Sequence, residues 1–203
     1  MRSTRACWSP GSEDGSIVHI VGVGGSVRAG SSTEQLVGTV LAAVEERSGA
    51  RTRLFGGPEL AEFTPYDPRA PLAPGAKAFV EAVREADAVV IGSPAYHGSV
   101  SGLVKNALDH LEELRDDVRP YLDGRPVGLV TTAHGWQAAV NTLTALRGIT
   151  HSLRGWPTPL GIAANVAVSG PEHFASPPLH NRVIELGRQL TAFPGGRSIE
   201  VSR

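Results

Sequence analysis

Residues 17–33 read IVHIVGVGGSVRAGSST. The first seven are almost all apolar and do not alternate with polar residues, which suits a strand buried on both faces of a parallel sheet. Three glycines, an arginine and four hydroxyl residues follow, the composition of a tight turn from a strand into a helix. The next stretch, STEQLVGTVLAAVEERSG, completes the unit. Leu36, Val40, Leu41 and Val44 share one helical face, Glu34, Glu45, Glu46 and Arg47 lie on the others, and Gly49 ends the helix.

The same strand-then-helix rhythm recurs along the chain. Further strands are expected at TRLF (52–55), ADAVVIGS (86–93), PVGLVTTA (126–133) and PLGIAANVAV (159–168). Helices are expected at GAKAFVEAVREA, SGLVKNALDHLEELRDD, QAAVNTLTALRGITHSLRG and PPLHNRVIELGRQLTAF. In the third helix Leu103, Ala107, Leu108, Leu111 and Leu114 form one stripe. Five strands alternating with five helices predict an α/β doubly wound sheet, flavodoxin-like, of five parallel strands in the order 2-1-3-4-5 with helices on both faces. The connection from Gly56 to Pro74 is rich in Pro and Gly and reads as a surface loop.

Composition narrows the function classes. With 203 residues, one domain with a sizeable core is expected over 17–194, between tails at 1–16 and 195–203. Nineteen Lys and Arg against twenty Asp and Glu leave no overall field to attract nucleic acid or anionic lipid. The only cysteine, Cys7, excludes an intramolecular disulfide framework and fits a reducing cytoplasm. The first sixteen residues lack the apolar core of a signal peptide, and no run of about 18 apolar residues is present, so no membrane span is expected.

In an open parallel sheet, ligands bind beyond the carboxyl ends of the strands, where strand order reverses. The loop at 24–33 falls there. Its helix amino end offers unpaired N–H groups, Ser26, Ser31, Ser32 and Thr33 carry hydroxyls, and Arg28 carries a charged fork. A nucleoside-triphosphate loop laid over Gly25–Ser32 finds Ser31 at the lysine position. A dinucleotide fingerprint from Gly22 finds Val27 at its third glycine. A GxSxG elbow fails at Arg28 and again at Val100. A monophosphate held by hydroxyls, amides and an arginine survives, beside the plainer reading of a Gly and Ser turn with a capping hydroxyl.

After the third strand comes SPAYHGSVSGLVKNALD (93–109). Pro94, Gly98 and Gly102 keep this chain segment tight, and Tyr96 and His97 set planar groups at the sheet edge, a platform for a flat heterocycle. Here the sequence resembles the NADPH-dependent FMN reductases of flavodoxin-like fold. GSVRAGSST is similar to that family's phosphate loop, through Ser26, Arg28, Ser31 and Thr33. PAYHGSVSGLVKNALD is similar to its second motif, through Pro94, Tyr96, Ser99, Gly102, Lys105, Asn106 and Asp109. The two motifs stand in order, about 70 residues apart, on the β-α junctions after the first and third strands.

The resemblance implies an oxidoreductase. FMN would sit with its phosphate on Ser26, Arg28, Ser31, Ser32 and Thr33, and with its ring system against Pro94, Ala95, Tyr96, His97, Gly98 and Ser99. Amides of Thr132, Ala133, His134 and Gly135 would face the ring's polar edge. NADPH or NADH would donate hydride, and a flavin-dependent monooxygenase would be one consumer of the reduced flavin. A quinone or azo reductase with bound FMN, and a flavodoxin-like electron carrier, are the alternatives. Pairing into a homodimer or homotetramer is implied as well, and the leucines of the third helix exceed what one side of a sheet needs.

Three features stay outside the motifs. Lys105, Asn106 and Asp109 have the alternative role of fixing a loop or a subunit contact. The third loop, TTAHGWQAA (131–139), has one glycine where the family often has several; Trp136 either covers a pocket or opens the core of the fourth helix. The seven histidines show no metal-ligand spacing; His19 reads as a core or edge residue and Trp156 as packing at the entry to the last strand.

Overall fold

The structure is a computed structural model, and it describes residues 18–169 and 176–192. The expected tails at 1–16 and 195–203, and Cys7, lie outside the described residues. Among the described residues there are six strands: β1 (His19–Gly24), β2 (Arg51–Phe55), β3 (Ala88–Tyr96), β4 (Ser99–Val100), β5 (Pro126–Ala133) and β6 (Trp156–Asn165). The helices are α1 (Ser32–Ser48), α2 (Gly57–Leu60), α3 (Pro74–Glu85), α4 (Gly102–Asp109), α5 (Trp136–Ser152), α6 (Val166–Ser169) and α7 (Pro177–Thr191). A 3-10 turn, His110–Leu114, continues α4.

Strands β2-β1-β3-β5-β6 lie side by side and all four pairings are parallel. Counted without β4, this is the expected order 2-1-3-4-5. The addition is β4, a two-residue strand that folds back antiparallel on the end of β3, pairing Ala95 with Val100 and Tyr96 with Ser99.

Burial explains the two layers. Ile20, Val90, Val130 and Ile162 point to one face of the sheet and pack with Leu36, Val37, Val40 and Val44 of α1 and Val183 and Leu186 of α7. Val21, Val89, Ile91 and Leu129 point to the other, against Phe79 and Val83 of α3, Val104 and Leu108 of α4, and Leu146 of α5. Gly49 caps α1 in the left-handed region at φ 67°, where a side chain would be strained.

Several local expectations need correction. The run 159–168 is not one strand: β6 starts at Trp156, and Val166 already turns into α6 because Asn165 Oδ1 accepts from Ala167 N at 3.1 Å. The third helix stops at Asp109 and tightens into the 3-10 turn. Its leucines are not in surplus, since Leu108, Leu111 and Leu114 are buried in the core and Leu103 packs against it. Trp136 is the first residue of α5 but is 56% exposed, so it does not open a core. Trp156 does stand at the entry to β6, yet it too is 56% exposed and does not pack there as a buried residue.

The outer edge of β6 is shut by polar groups. Arg147 donates to Thr158 O and Pro159 O, Arg182 to Gly161 O, and Gln189 accepts from Leu160 N. Pro157 and Pro159 remove two further N–H donors, so the strand cannot template another chain there.

Candidate active site

The carboxyl ends of β1 and β3 meet where chain direction across the sheet reverses. Gly24 and Gly92 are register partners there, and a Cβ on Gly24 would lie 2.3 Å from Gly92 O. Gly92 in turn leaves room for Val37 of α1. These contacts hold the helix close to the strand ends and fix the loop 25–31 above them.

Within that loop the candidate phosphate donors divide into two groups. Ser31 is buried, caps α1 by accepting from Glu34 N at 3.3 Å, and accepts from Ser26 N at the same distance. Thr33 is buried, and its hydroxyl is 2.5 Å from that of Thr132 at the end of β5. Ser31 Oγ thus accepts two bonds within the protein and keeps its own O–H to donate, and the Thr33 and Thr132 hydroxyls share one bond between two O–H donors. Ser26 and Ser32 are half-buried, and their hydroxyls have no hydrogen-bond partner among the described residues. Arg28 is exposed and likewise makes no hydrogen bond or ion pair among them.

The second group sits on the β3–β4 hairpin. His97 (φ 51°) and Gly98 (φ 81°) are its two central residues, the positive-φ pair of a type I′ turn. Histidine tolerates this region better than branched residues do. Ser93, buried, donates to Pro94 O and accepts from Ser101 N, which fixes where Pro94 and Ala95 leave the sheet. Pro94 and Ala95 are half-buried, Ser99 is exposed, and the Tyr96 ring stands 51% exposed.

The third loop follows β5, whose Thr132 is the register partner of Pro94. Thr131 donates its hydroxyl to Ala139 O and Thr142 to Ser99 O, so the first turns of α5 are tied to β5 and to the hairpin. Gly135 occupies the N-cap position and provides no side-chain cap. The N–H groups of that first turn thus face the same edge as the hairpin, beside exposed His134 and Trp136. A Cβ on Gly30, Gly98 or Gly135 would meet nothing within 4 Å. Space is open above all three loops.

Loop-fixing is the role of the second motif's helical part. Asn106 donates to Phe63 O and Thr64 O and accepts from Tyr66 N, pinning the Gly56–Pro74 connection. Lys105 pairs with Asp109 at 2.6 Å on the surface of α4. The Tyr66 hydroxyl donates to Glu113 and is pushed up to about 12, by burial first and the carboxylate second. None of these groups points chemistry at the sheet edge.

A groove of about 880 Å³ lies at the opposite end, between β2 and α3, where His19, Arg51, Arg53, Glu81, Glu85 and Asp87 line it. His19 is thus a partly exposed edge residue. Mixed charges at the amino ends of strands lack the helix amino termini that favour anions at the other edge. Among the described residues no three His, Cys, Asp or Glu converge as metal ligands. Nor, among the described residues, is any helix long and apolar enough to cross a membrane.

The sequence model of the NADPH-dependent FMN reductases matches residues 18–168. An FMN-dependent NADPH-azoreductase of Staphylococcus haemolyticus is 42% identical over 89 residues, 44% of this chain and 44% of that relative. The match thus spans less than half the length of the curated relative. An oxidoreductase from Corynebacterium diphtheriae superposes with a TM-score of 0.67 at 21% identity, over 90% of this chain and 99% of the other. An NAD(P)H:acceptor oxidoreductase from Paracoccus denitrificans superposes at 0.66 and 18% identity, over 87% and 99%. At these identities the superpositions establish the shared fold.

Proposed function

This chain belongs to the NADPH-dependent FMN reductase family, and we propose that it is an NAD(P)H-dependent oxidoreductase that binds FMN at the carboxyl edge of its sheet. One observation carries the reading. Arg28, Ser26 and Ser32 are donors without partners among the described residues, in a loop at the topological switch point, beside two further loops with open space above their glycines.

That donor set fits a phosphomonoester. Arg28 supplies a bidentate charged fork, Ser26 and Ser32 supply hydroxyls, and the amino end of α1 supplies positive potential. Ser31 and Thr33 shape the loop through the bonds their hydroxyl oxygens make, and would also offer their amides and the O–H that Ser31 does not donate within the protein. The 94–99 hairpin would carry the flat ring system. When bound, FMN supplies hydride acceptance from the nicotinamide and onward electron transfer. The uncapped first turn of α5, with Thr132, Ala133, His134 and Gly135 leading into it, sets positive potential where negative charge accumulates on reduction.

The acceptor is open to two readings. Free reduced flavin supplied to a partner monooxygenase is one. Reduction of an azo compound or quinone is the other, favoured by the name of the Staphylococcus haemolyticus relative. The reading implies a reducing setting such as the cytoplasm. A homodimer or homotetramer is proposed on the exposed, one-turn-apart pair Trp136 and Val140 of α5, and no longer on the leucines of α4. A monomer mass in sedimentation at micromolar concentration would refute that assembly.

The function is tested by the absorption spectrum of the purified protein with FMN, followed by NADPH and NADH oxidation with FMN, FAD, an azo dye and a quinone as acceptors. FMN binding with rapid oxidation of reduced nicotinamide is expected. Flavin binding with very slow direct reduction would indicate an electron carrier, and no flavin binding would refute the assignment.

A further inference from the structure

Glu34 occupies the third position after the N-cap Ser31, the spacing at which a capping glutamate ordinarily reaches back to the cap's own N–H. Here it reaches elsewhere. One carboxylate oxygen accepts from Gly30 N at 3.2 Å, and the other accepts from Gly57 N at 3.0 Å, on a segment 23 residues away. Gln35 completes the grip by donating to Gly30 O at 2.6 Å. Both backbone groups of Gly30, which sits at φ 64°, are therefore held by the first turn of α1.

The surroundings are cut to admit this carboxylate. A Cβ on Gly56 would lie 2.9 Å from Glu34 Oε2, and one on Gly25 would lie 3.3 Å from it. A Cβ on Gly57 would come within 1.5 Å of Ser26 O, so the Gly56–Gly57 backbone is laid directly against the loop. Capping of α1 does not explain the arrangement, because Ser31 already accepts from Glu34 N. A negative charge beside an anion site is unfavourable by itself. Its presence is explained by what it holds.

We infer that Glu34 is a positioning residue: it straps the 25–30 loop to Gly57 in the shape that directs Arg28, Ser26 and Ser32 at a phosphomonoester. The strap grips Gly57 of α2, which follows β2, whereas the ring-bearing hairpin follows β3 on the other side of β1. It therefore acts on phosphate recognition and not on ring binding. The inference rests on the proposed FMN site.

The test compares FMN with riboflavin, which lacks the phosphate, by fluorescence-quenching titration of the wild type, Glu34→Ala and Glu34→Gln. The wild type should prefer FMN. Glu34→Ala removes two bonds to an ionised acceptor and should weaken FMN binding about 10-fold or more, with riboflavin affinity changed less than about 2-fold. Glu34→Gln keeps the size and one acceptor, guards against a folding defect, and should lose FMN selectively to a smaller degree. Both variants retaining the wild-type ratio of the two affinities would overturn the strap, as would equal loss of both ligands. A wild type that binds the two ligands alike would overturn the phosphate site and the strap together.

Discussion

Removing Arg28 separates binding from folding more cleanly than any other change at this edge. Its side chain is exposed and makes no hydrogen bond or ion pair among the described residues, so Arg28→Ala deletes no internal interaction there. A surface change of that kind alters stability by within about 0.5 kcal/mol. For a chain of this size that is a melting shift of no more than about 2 °C. Against a phosphate the same side chain would make charge-assisted bonds worth roughly 1.5 to 3 kcal/mol, so the FMN dissociation constant should rise about 10- to 150-fold. Arg28→Lys keeps the charge but not the fork and should recover part of the loss. Flavin fluorescence titration and thermal melting on the same preparations give both numbers. An unchanged dissociation constant would refute the phosphate assignment. A large fall in melting temperature would show that Arg28 has a structural role instead.

Other expectations follow from the same geometry. Trp136→Gly should raise turnover of bulky acceptors or widen their range in steady-state assays, with FMN affinity within about 2-fold of the wild type, because the phosphate loop lies on another β-α junction. Since the ring is 56% exposed, melting should show less than the roughly 3 to 5 kcal/mol lost on truncating a buried aromatic. Arg125→Met should cost roughly 3 to 5 kcal/mol in denaturant unfolding, because the fully buried guanidinium donates to Ala86 O, Tyr121 O and Arg84 O, and all three would lose their donor. Glu185 is held down to about 2, first by its hydrogen bond from Arg188 and then by that from Gln189. Its depressed value contributes stability above the ordinary carboxylate range, lost as pH falls from about 4.5 towards 2. Exposure screens this to below about 1 kcal/mol, and Glu185→Gln should flatten the acid limb by no more than that.

The sheet was legible because its signals are local and redundant. Non-alternating apolar runs at β1, β3 and β5 report burial on both faces, and Leu36, Val40 and Val44 report the helix face that covers one of them. What escaped was decided by neighbours distant in sequence. The β4 hairpin is two residues long and depends on His97 entering positive φ, which no hydrophobic pattern records. The leucines of this segment looked excessive because the stripe records a shared face but not how much core lies against it, and the core takes Leu108, Leu111 and Leu114 in full. The inside or outside placement of Trp136 was open to sequence because it depends on the short loop between β5 and α5.

At the candidate site, motif membership and ligand contact separate. Of the matched loop residues, Ser31 Oγ accepts from two amides and Thr33 bonds to Thr132, while the Ser26 hydroxyl and Arg28 have no partner among the described residues. Of the second motif, Asn106 pins residues 63–66 and Lys105 pairs with Asp109, while Pro94 to Ser99 carry the edge. A recurring pattern therefore mixes groups that meet a ligand with groups that shape the walls around it, and spacing alone cannot sort them. Hydrogen-bond accounting can, because a polar group already satisfied within the protein gains little by turning to a ligand, whereas an unpartnered one exchanges only water. By that criterion Ser32, which lies outside the matched positions, would join Ser26 and Arg28 in the proposed donor set. Glu34, also outside them, is assigned to the scaffold by the two amides it already holds.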